Sequence, residues 1–389
     1  MSFIPAERLR RLPTQFFSAL AQKAAMRVRD GHDVINLGQG NPDLPTPPHI
    51  VEALRQAVLD PATHRYPPFS GLPALKLAVV NWYNRRFGVA LDPESEVAIL
   101  FGGKAGLIEI SECLLNPGDR CLVPDPGYPD YWSGVALAGG EMTFMPLREN
   151  NAYLPDYSEL RAEQLERVKL MFLNYPNNPT AAVADETFFR ETVSFASKQG
   201  IAVVHDFAYG AIGFDGLRPR SFLQTDGAKN VGIEVYTMSK TYNMAGWRVG
   251  FALGNAALIS MINLLQDHYY VSLFGAVQRA AVTALLGSDD CIDELVGVYE
   301  RRRGVIVDGL TEAGWRCPKP GGSFFTWIPV PSGFTSTALA DLLLERADVV
   351  VAPGVGFGSM GEGYVRLALL AQEDRLAEAV ARIRALRLM

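Results

Sequence analysis

The chain is poor in the residues that usually signal a metal centre or a disulfide framework. It has four widely spaced cysteines, Cys113, Cys121, Cys291 and Cys317, and no CxxC pair. That excludes a disulfide-stapled fold and a zinc ribbon and predicts reduced thiols. The five histidines, at 32, 49, 64, 205 and 268, include no pair three to five residues apart and no HExxH, so no resident metal is expected. Apolar runs are short: even AVVHDFAYGAIGF at 202–214 carries a histidine and an aspartate, and none approaches the roughly 18 residues of a membrane helix. Basic residues are outnumbered, 36 against 42, for a net charge of −6. A nucleic-acid partner would select for a basic face, so none is expected. The opening stretch MSFIPAERLRRLPTQFFSALAQK has no unbroken apolar core and predicts an amphipathic helix of a cytoplasmic protein rather than a signal peptide. Repeats, low-complexity tracts and Ser/Gly linkers are also missing. What is left is 389 residues of globular composition, 48% hydrophobic and 20% charged, enough to fill a large core.

From residue 98 onward short apolar runs alternate with longer amphipathic ones. The strand candidates are AILF (98–101), CLVP (121–124), MTFMPL (142–147), KLMFLNY (169–175), AVVHD (202–206), EVYTMS (234–239) and VGFALG (249–254). Most are apolar at successive positions, the pattern of strands covered on both faces. Helical stretches lie between them, such as 105–115 and 185–200, the second opened by Asp185 as a cap and closed by Gly200. This predicts an α/β fold with a mostly parallel seven-stranded, doubly wound sheet. After residue 255 the pattern becomes helical and then yields GGSFFTWIPV, DVVVAP and YVRLALL, a smaller α+β unit. The expected boundaries are 48–280 for the large unit, with 1–47 and 281–389 forming the small one.

Ligands of open α/β sheets bind at the carboxyl ends of the strands. Gly102, Gly103 and Lys104, Asp125 to Tyr128, Asn174 to Thr180, Asp206 to Tyr209, and Ser239 and Lys240 all fall there. Lys240 is expected in a turn, with Arg248 eight residues on. A lysine desolvated beside other cations becomes a nucleophilic amine able to form a Schiff base, although a solvated turn lysine is the commoner case. Asp206 alone could be a structural carboxylate, and Gly103 and Lys104 could be ordinary strand-to-helix packing. Taken together, these residues describe one ligand: an aromatic nitrogen heterocycle carrying an aldehyde, a phenolic oxygen and a phosphate, which is pyridoxal 5′-phosphate. Lys240 would take the aldehyde, Asp206 the ring nitrogen and Tyr209 the phenolic oxygen. The Gly103 and Lys104 amides, Arg248 and Thr237 would hold the phosphate.

The segments NYPNNPT (174–180), HDFAYG (205–210), SKTYNMAGWRVG (239–250) and GYVRLAL (363–369) resemble the motifs of class I aminotransferases of the aspartate aminotransferase fold, fold type I. Their order and spacing are family-like, and the resemblance covers nearly the whole chain. It implies ping-pong transfer of an amino group between an amino acid and a 2-oxo acid, with Lys240, Asp206 and Tyr209 as the catalytic set. It also implies that Asn178 bonds the cofactor's phenolic oxygen, Tyr128 stacks on the ring, Arg366 clamps the substrate α-carboxylate and Gly40 approaches the substrate. Tyr66 would reach a neighbouring subunit's phosphate in a homodimer with a shared active site. Further segments, including QFFSAL, ILFGGKAGL and VPDPGYPDYWSGVALA, look most like the bacterial aminotransferases of methionine salvage. Those would use 4-methylthio-2-oxobutanoate with a glutamine-type donor. The alternatives are alanine, aromatic, aspartate or diaminopimelate aminotransferases, or a carbon–sulfur lyase on the same cofactor.

Phe16, Phe17, Tyr269, Tyr270 and Phe274 are candidates for an apolar substrate pocket. One departure from the family pattern is Ala181, where glycine is usual after Asn-Pro-Thr; a positive φ there would be strained for alanine. A GxGxxG match at 356–361 is followed by a strand candidate rather than a helix, so it predicts a flexible loop leading to Arg366, not a nucleotide site.

Overall fold

The structure, a computed structural model, describes residues 3–13 and 16–388. Its centre is a sheet of seven strands: β1 (Val97–Leu100), β2 (Arg120–Asp125), β3 (Glu141–Pro146), β4 (Val168–Asn174), β5 (Ala202–Asp206), β6 (Gly232–Thr237) and β7 (Gly250–Gly254). They are ordered β1-β7-β6-β5-β4-β2-β3. Each corresponds to one of the seven apolar runs. Along β4, Leu170 and Phe172 enter one core while Met171 and Leu173 enter another, because successive side chains point to opposite faces. Both faces are covered, which is why the runs are continuously apolar.

All neighbours in this sheet are parallel except β7, which runs antiparallel to both β1 and β6. The chain therefore leaves β6 and re-enters β7 at the same edge, so residues 238–249 stay there. The expected strand 234–239 ends early. Thr237 Oγ1 accepts from the Ser239 N–H at 3.2 Å and caps a helical turn, Met238–Thr241, so Lys240 sits on that turn rather than in an open loop.

A second, antiparallel sheet has β8 (Phe325–Pro329), β9 (Ala352–Pro353) and β10 (Tyr364–Ala368), in the order β9-β10-β8. Its register sets Arg366 opposite Trp327 and Ala352. Helices Asp290–Glu312, Ser336–Ala347 and Glu373–Ala385 pack with it in one core. Helix Phe16–Arg29 buries Leu20 and Ala24 against Trp327, Leu344 and Phe357. The expected helix 185–200 forms as Glu186–Gln199, with Asp185 accepting from the Phe188 N–H and Gly200 at φ 66°. Among the described residues no helix is long and apolar enough to cross a membrane, and no cluster of metal-ligating side chains occurs.

Candidate active site

The carboxyl edge of the seven-stranded sheet faces the second sheet across a cavity of about 520 Å³, an ordinary size for a small-molecule site. Lys240, Asp206, Tyr209, Gly103, Lys104, Tyr128, Asn178, Thr237, Arg248, Arg366 and Gly40 all line it. Tyr66 does not: it is 89% exposed on the surface of the chain.

Gly102 ends the β1 connection and precedes helix Gly103–Leu114, with φ 80°. The positive φ favours glycine here, and a Cβ would lie 2.5 Å from the Arg248 guanidinium, which would have to move aside. Arg248 donates only to carbonyl oxygens, those of Ala245 (3.0 Å) and Phe101 (3.3 Å). The Lys104 side chain turns away to Asp130 at 2.8 Å, which leaves its backbone amide beside that of Gly103 at the start of the helix. The result is an arginine without a carboxylate partner among the described residues, set beside a helix N-terminus, an arrangement that attracts an anion.

Asp206 ends β5, buried, and accepts from Tyr131 Oη at 2.8 Å. Burial pushes its carboxyl up to about 6, while the Tyr131 hydroxyl and the Ala208 N–H pull it down. Tyr131 stacks on Phe172 with centroids 4.8 Å apart. It is a candidate site residue, bonded to Asp206, that the sequence motifs did not mark. The available signal was its position three residues after Tyr128, on the same turn of chain.

Lys240 Nζ donates to the Gly40 carbonyl at 2.7 Å. Burial, and then the positive charges of Arg366 and Arg248, lower its pKa from 10.5 to about 8. Gly40 is close-packed: a Cβ there would stand 2.9 Å from the Phe325 ring.

Arg366, at the middle of β10, is 1% exposed, so it is no surface ion-pair arginine. It donates to Asn178 Oδ1 (2.7 Å) and to the Gly38 carbonyl (2.8 Å), and its Nε has no hydrogen-bond partner among the described residues. The guanidinium sits 4.0 Å from the centroid of Phe325, 4.6 Å from that of Phe357 and 5.2 Å from that of Phe17. Burial lowers its pKa to about 9. A buried cation with no anion to face is held ready for one supplied from outside.

Ala181 adopts φ 60° in the turn that carries Asn178, so alanine takes the left-handed conformation at a cost of roughly 1 kcal/mol, and Asn178 stays in the site. Of the five aromatic candidates for a substrate pocket only Phe17 lines the cavity. Phe16 packs against the backbone at Gly356. Tyr269 and Tyr270 are drawn to Glu112 and Glu109, and Phe274 is exposed. Gln39, Asn41, Leu107 and Phe325 line the cavity instead; they come from three separate segments and shared no pattern in the sequence.

Comparison with known proteins agrees with this geometry. Residues 32–383 match the family described as aminotransferase class I and II. The chain is 60% identical, over 98% of its length and 96% of the relative's, to the L-glutamine–4-(methylsulfanyl)-2-oxobutanoate aminotransferase of Bacillus subtilis strain 168. It is 48% identical to an LL-diaminopimelate aminotransferase of Desulforudis audaxviator over 99% of this chain and 98% of that one. Among solved structures, substrate-bound BacF from Bacillus subtilis superposes with a TM-score of 0.96 at 49% identity, covering 100% of this chain and 98% of that one. A Thermus thermophilus aspartate aminotransferase double mutant superposes at 0.91 with 27% identity and full coverage of both chains. The chain belongs to the class I and II aminotransferases, pyridoxal phosphate-dependent transaminases of fold type I.

Proposed function

We propose that this aminotransferase moves an amino group from a glutamine-type donor to 4-(methylsulfanyl)-2-oxobutanoate, producing methionine. The observation that carries the catalytic assignment is Lys240: a buried amine with its pKa lowered to about 8, lining one cavity with Asp206 and Arg366. The substrate reading is supported by the 60% identical relative and by the cavity lining. Leu107, Phe17 and Phe325 offer apolar surface there, and Gln39 and Asn41 offer neutral amides. Thioether sulfur packs well against aromatic edges.

The cavity also fits the cofactor group by group. Arg248 and the Gly103 and Lys104 amides, with the Thr237 hydroxyl, suit a phosphate. The Asp206 carboxylate suits a protonated ring nitrogen, Tyr209 and Asn178 a phenolic oxygen, Tyr128 a ring face and Lys240 an aldehyde. When bound, pyridoxal phosphate supplies a carbonyl that condenses with amines and a protonated ring that withdraws electrons from the bond being broken. The residues do the rest. Arg366 binds the substrate carboxylate bidentately and fixes the amino acid's orientation. Asp206, kept ionised by Tyr131, holds the positive charge on the ring nitrogen. Lys240, freed when the incoming amine takes its place, would accept the Cα proton at Nζ and return it to the carbon on the far side of the transferred nitrogen. The same residues then serve the acceptor 2-oxo acid in reverse.

The enzyme is proposed to be a cytoplasmic homodimer. Leu59, Tyr66 and Phe69 are 68%, 89% and 54% exposed within one short stretch, a patch that a second subunit would cover. Tyr66 would then complete the partner's phosphate site. The chain is further proposed to divide into a large unit, 48–280, around the seven-stranded sheet and a small unit, 1–47 with 281–389, around β8 to β10.

A half-reaction screen tests the substrate reading. Glutamine and methionine should each discharge the cofactor's visible absorbance, while aspartate and diaminopimelate should be slower by at least roughly 30-fold in kcat/KM. Their distal charges would enter a cavity that, among the described residues, offers no cation or anion beyond those already assigned, a loss of about 2 kcal/mol or more. Aspartate turning over as well as methionine would refute it, and pyruvate and ammonia formed without any 2-oxo acceptor would indicate a lyase.

A second expectation concerns pH. An amine attacks a carbonyl only as its free base. At pH 8 a lysine of pKa about 8 is roughly half free base, against roughly one in 300 for an ordinary lysine. Cofactor uptake by the cofactor-free protein, followed by absorbance, should therefore accelerate as pH rises and level off above a midpoint near 8. A rate that keeps climbing towards pH 10 would show that Lys240 is not desolvated.

A further inference from the structure

The glycine-rich segment 354–361 is not the flexible loop expected from the sequence. It forms two short 3-10 turns, Gly354–Phe357 and Ser359–Gly361, between β9 and β10. Its glycines are there for close approach. A Cβ at Gly356 would lie 2.5 Å from the Phe16 ring, one at Gly358 would overlap the Asp125 carboxylate, and ones at Gly354 and Gly361 would overlap each other's backbone.

The group that Gly358 accommodates is the side chain of Asp125, the last residue of β2 and 3% exposed. Ser359 Oγ donates to Asp125 Oδ2 at 2.7 Å, and the Met360 N–H donates to Oδ1 at 3.0 Å. The Gly127 N–H adds a bond to the Phe357 carbonyl at 2.8 Å. Asp125 has no cationic partner among the described residues. Its two oxygens are both used as acceptors, so an asparagine loses the charge that strengthens both bonds and keeps both only if the Ser359 hydroxyl turns from donor to acceptor.

These contacts tie the loop to the edge of the seven-stranded sheet, next to the cavity. What the tie holds in place is Phe357, fully buried, its ring 4.6 Å from the Arg366 guanidinium and 5.7 Å from Phe17. Among the described residues no carboxylate pairs with Arg366, so the aromatic faces around it and its two hydrogen bonds define its position. We propose that Asp125 is a positioning residue for Arg366: through Ser359 and Met360 it fixes the 354–361 loop so that Phe357 covers the guanidinium and keeps it aimed at the substrate carboxylate. The proposal rests on the reading of Arg366 as the carboxylate clamp.

The test compares Asp125→Asn and Ser359→Ala with the parent, both as cofactor-loaded enzyme. The second variant removes one hydrogen bond from a turn and keeps the fold accessible should the first prove unstable. The readouts are KM and kcat for methionine, the Kd of the unreactive monocarboxylate 4-(methylsulfanyl)butanoate, hydrogen–deuterium exchange across 354–361, the cofactor's absorbance spectrum and Tm. KM and Kd should rise together, by about tenfold for Asp125→Asn and severalfold for Ser359→Ala. Loop exchange should accelerate, while kcat and the cofactor's absorbance spectrum hold. Unchanged Kd and exchange overturn the proposal, and so does a lowered Tm with both unchanged, which would make Asp125 an ordinary structural residue. Arg366→Lys separates the two readings. If it leaves Kd unaltered, the clamp assignment itself fails; if it raises Kd while the loop variants do not, only the role of Asp125 is lost.

Discussion

Lys240→Ala is expected to abolish the absorbance band of the imine between its amine and the cofactor and lower turnover by at least about 10⁴-fold, the upper range for losing a positioned acid–base group, while the protein stays folded. The structure gives a reason to expect the second half of that result. The Lys240 ammonium is buried and faces Arg366 and Arg248, and its pKa falls from 10.5 to about 8. A folded-state value below the unfolded one means that folding disfavours the charged form. Below pH 8 the cofactor-free protein carries this penalty in full, on the order of 3 kcal/mol. The penalty shrinks as pH rises from 8 and is gone above about 10.5. Alanine removes it. Thermal melting of the cofactor-free variant at pH 7 should therefore occur no lower than that of the parent, and its advantage should diminish towards pH 10. A variant that keeps the absorbance band would remove Lys240 from the mechanism; one that unfolds would show that the Gly40 hydrogen bond outweighs the repulsion. Such a lysine is a functional group held at a cost in stability.

Arg366→Ala should raise KM for every amino acid and 2-oxo acid by roughly 30- to 5,000-fold, corresponding to 2 to 5 kcal/mol for truncating one partner of a buried charge pair. The effect should be uniform across side chains, because the group recognised is common to all of them. Cofactor affinity should change little, since the phosphate-binding candidates Arg248, Gly103 and Thr237 lie on other elements. The variant also leaves Asn178 Oδ1 and the Gly38 carbonyl without the donor they have in the parent, so some loss of stability is expected. Steady-state kinetics with methionine, alanine and phenylalanine provides the check. An unchanged KM would reassign the clamp, and a rise confined to one side chain would make Arg366 a specificity residue.

The sheet was legible in the sequence because strands covered on both faces must be apolar at consecutive positions, as β2, β4 and β5 are. The chemistry was legible because a lysine, a carboxylate and a glycine-led helix fell at ends of strands that share an edge. The helical turn at Lys240 escaped, since it depends on the cap that Thr237 makes two residues away. Phe325, Phe357 and Gln39 escaped for a different reason. Each meets the cavity or its charged groups only through contacts between distant segments, and local pattern carries no trace of these. The same limit explains the aromatic candidates: Tyr269 and Tyr270 have the composition of a substrate pocket, but buried or half-buried carboxylates on helix Gly103–Leu114 claim their hydroxyls. Tyr66 lies beyond any single-chain account, being exposed where the chain stands alone.

Within the seven-stranded sheet the antiparallel strand, β7, decides which groups travel together. Because it starts where β6 stops, Lys240 and Arg248 share a single short connection, whereas Arg366 arrives on the separate sheet of β8 to β10. A tilt of that second sheet would alter the reach from Arg366 to Lys240 and leave the span from Lys240 to Arg248 untouched. On the proposed assignments, such a tilt would let the spent acid go without loosening the grip on the vitamin-derived group, and one loading of coenzyme would outlast many exchanges of substrate.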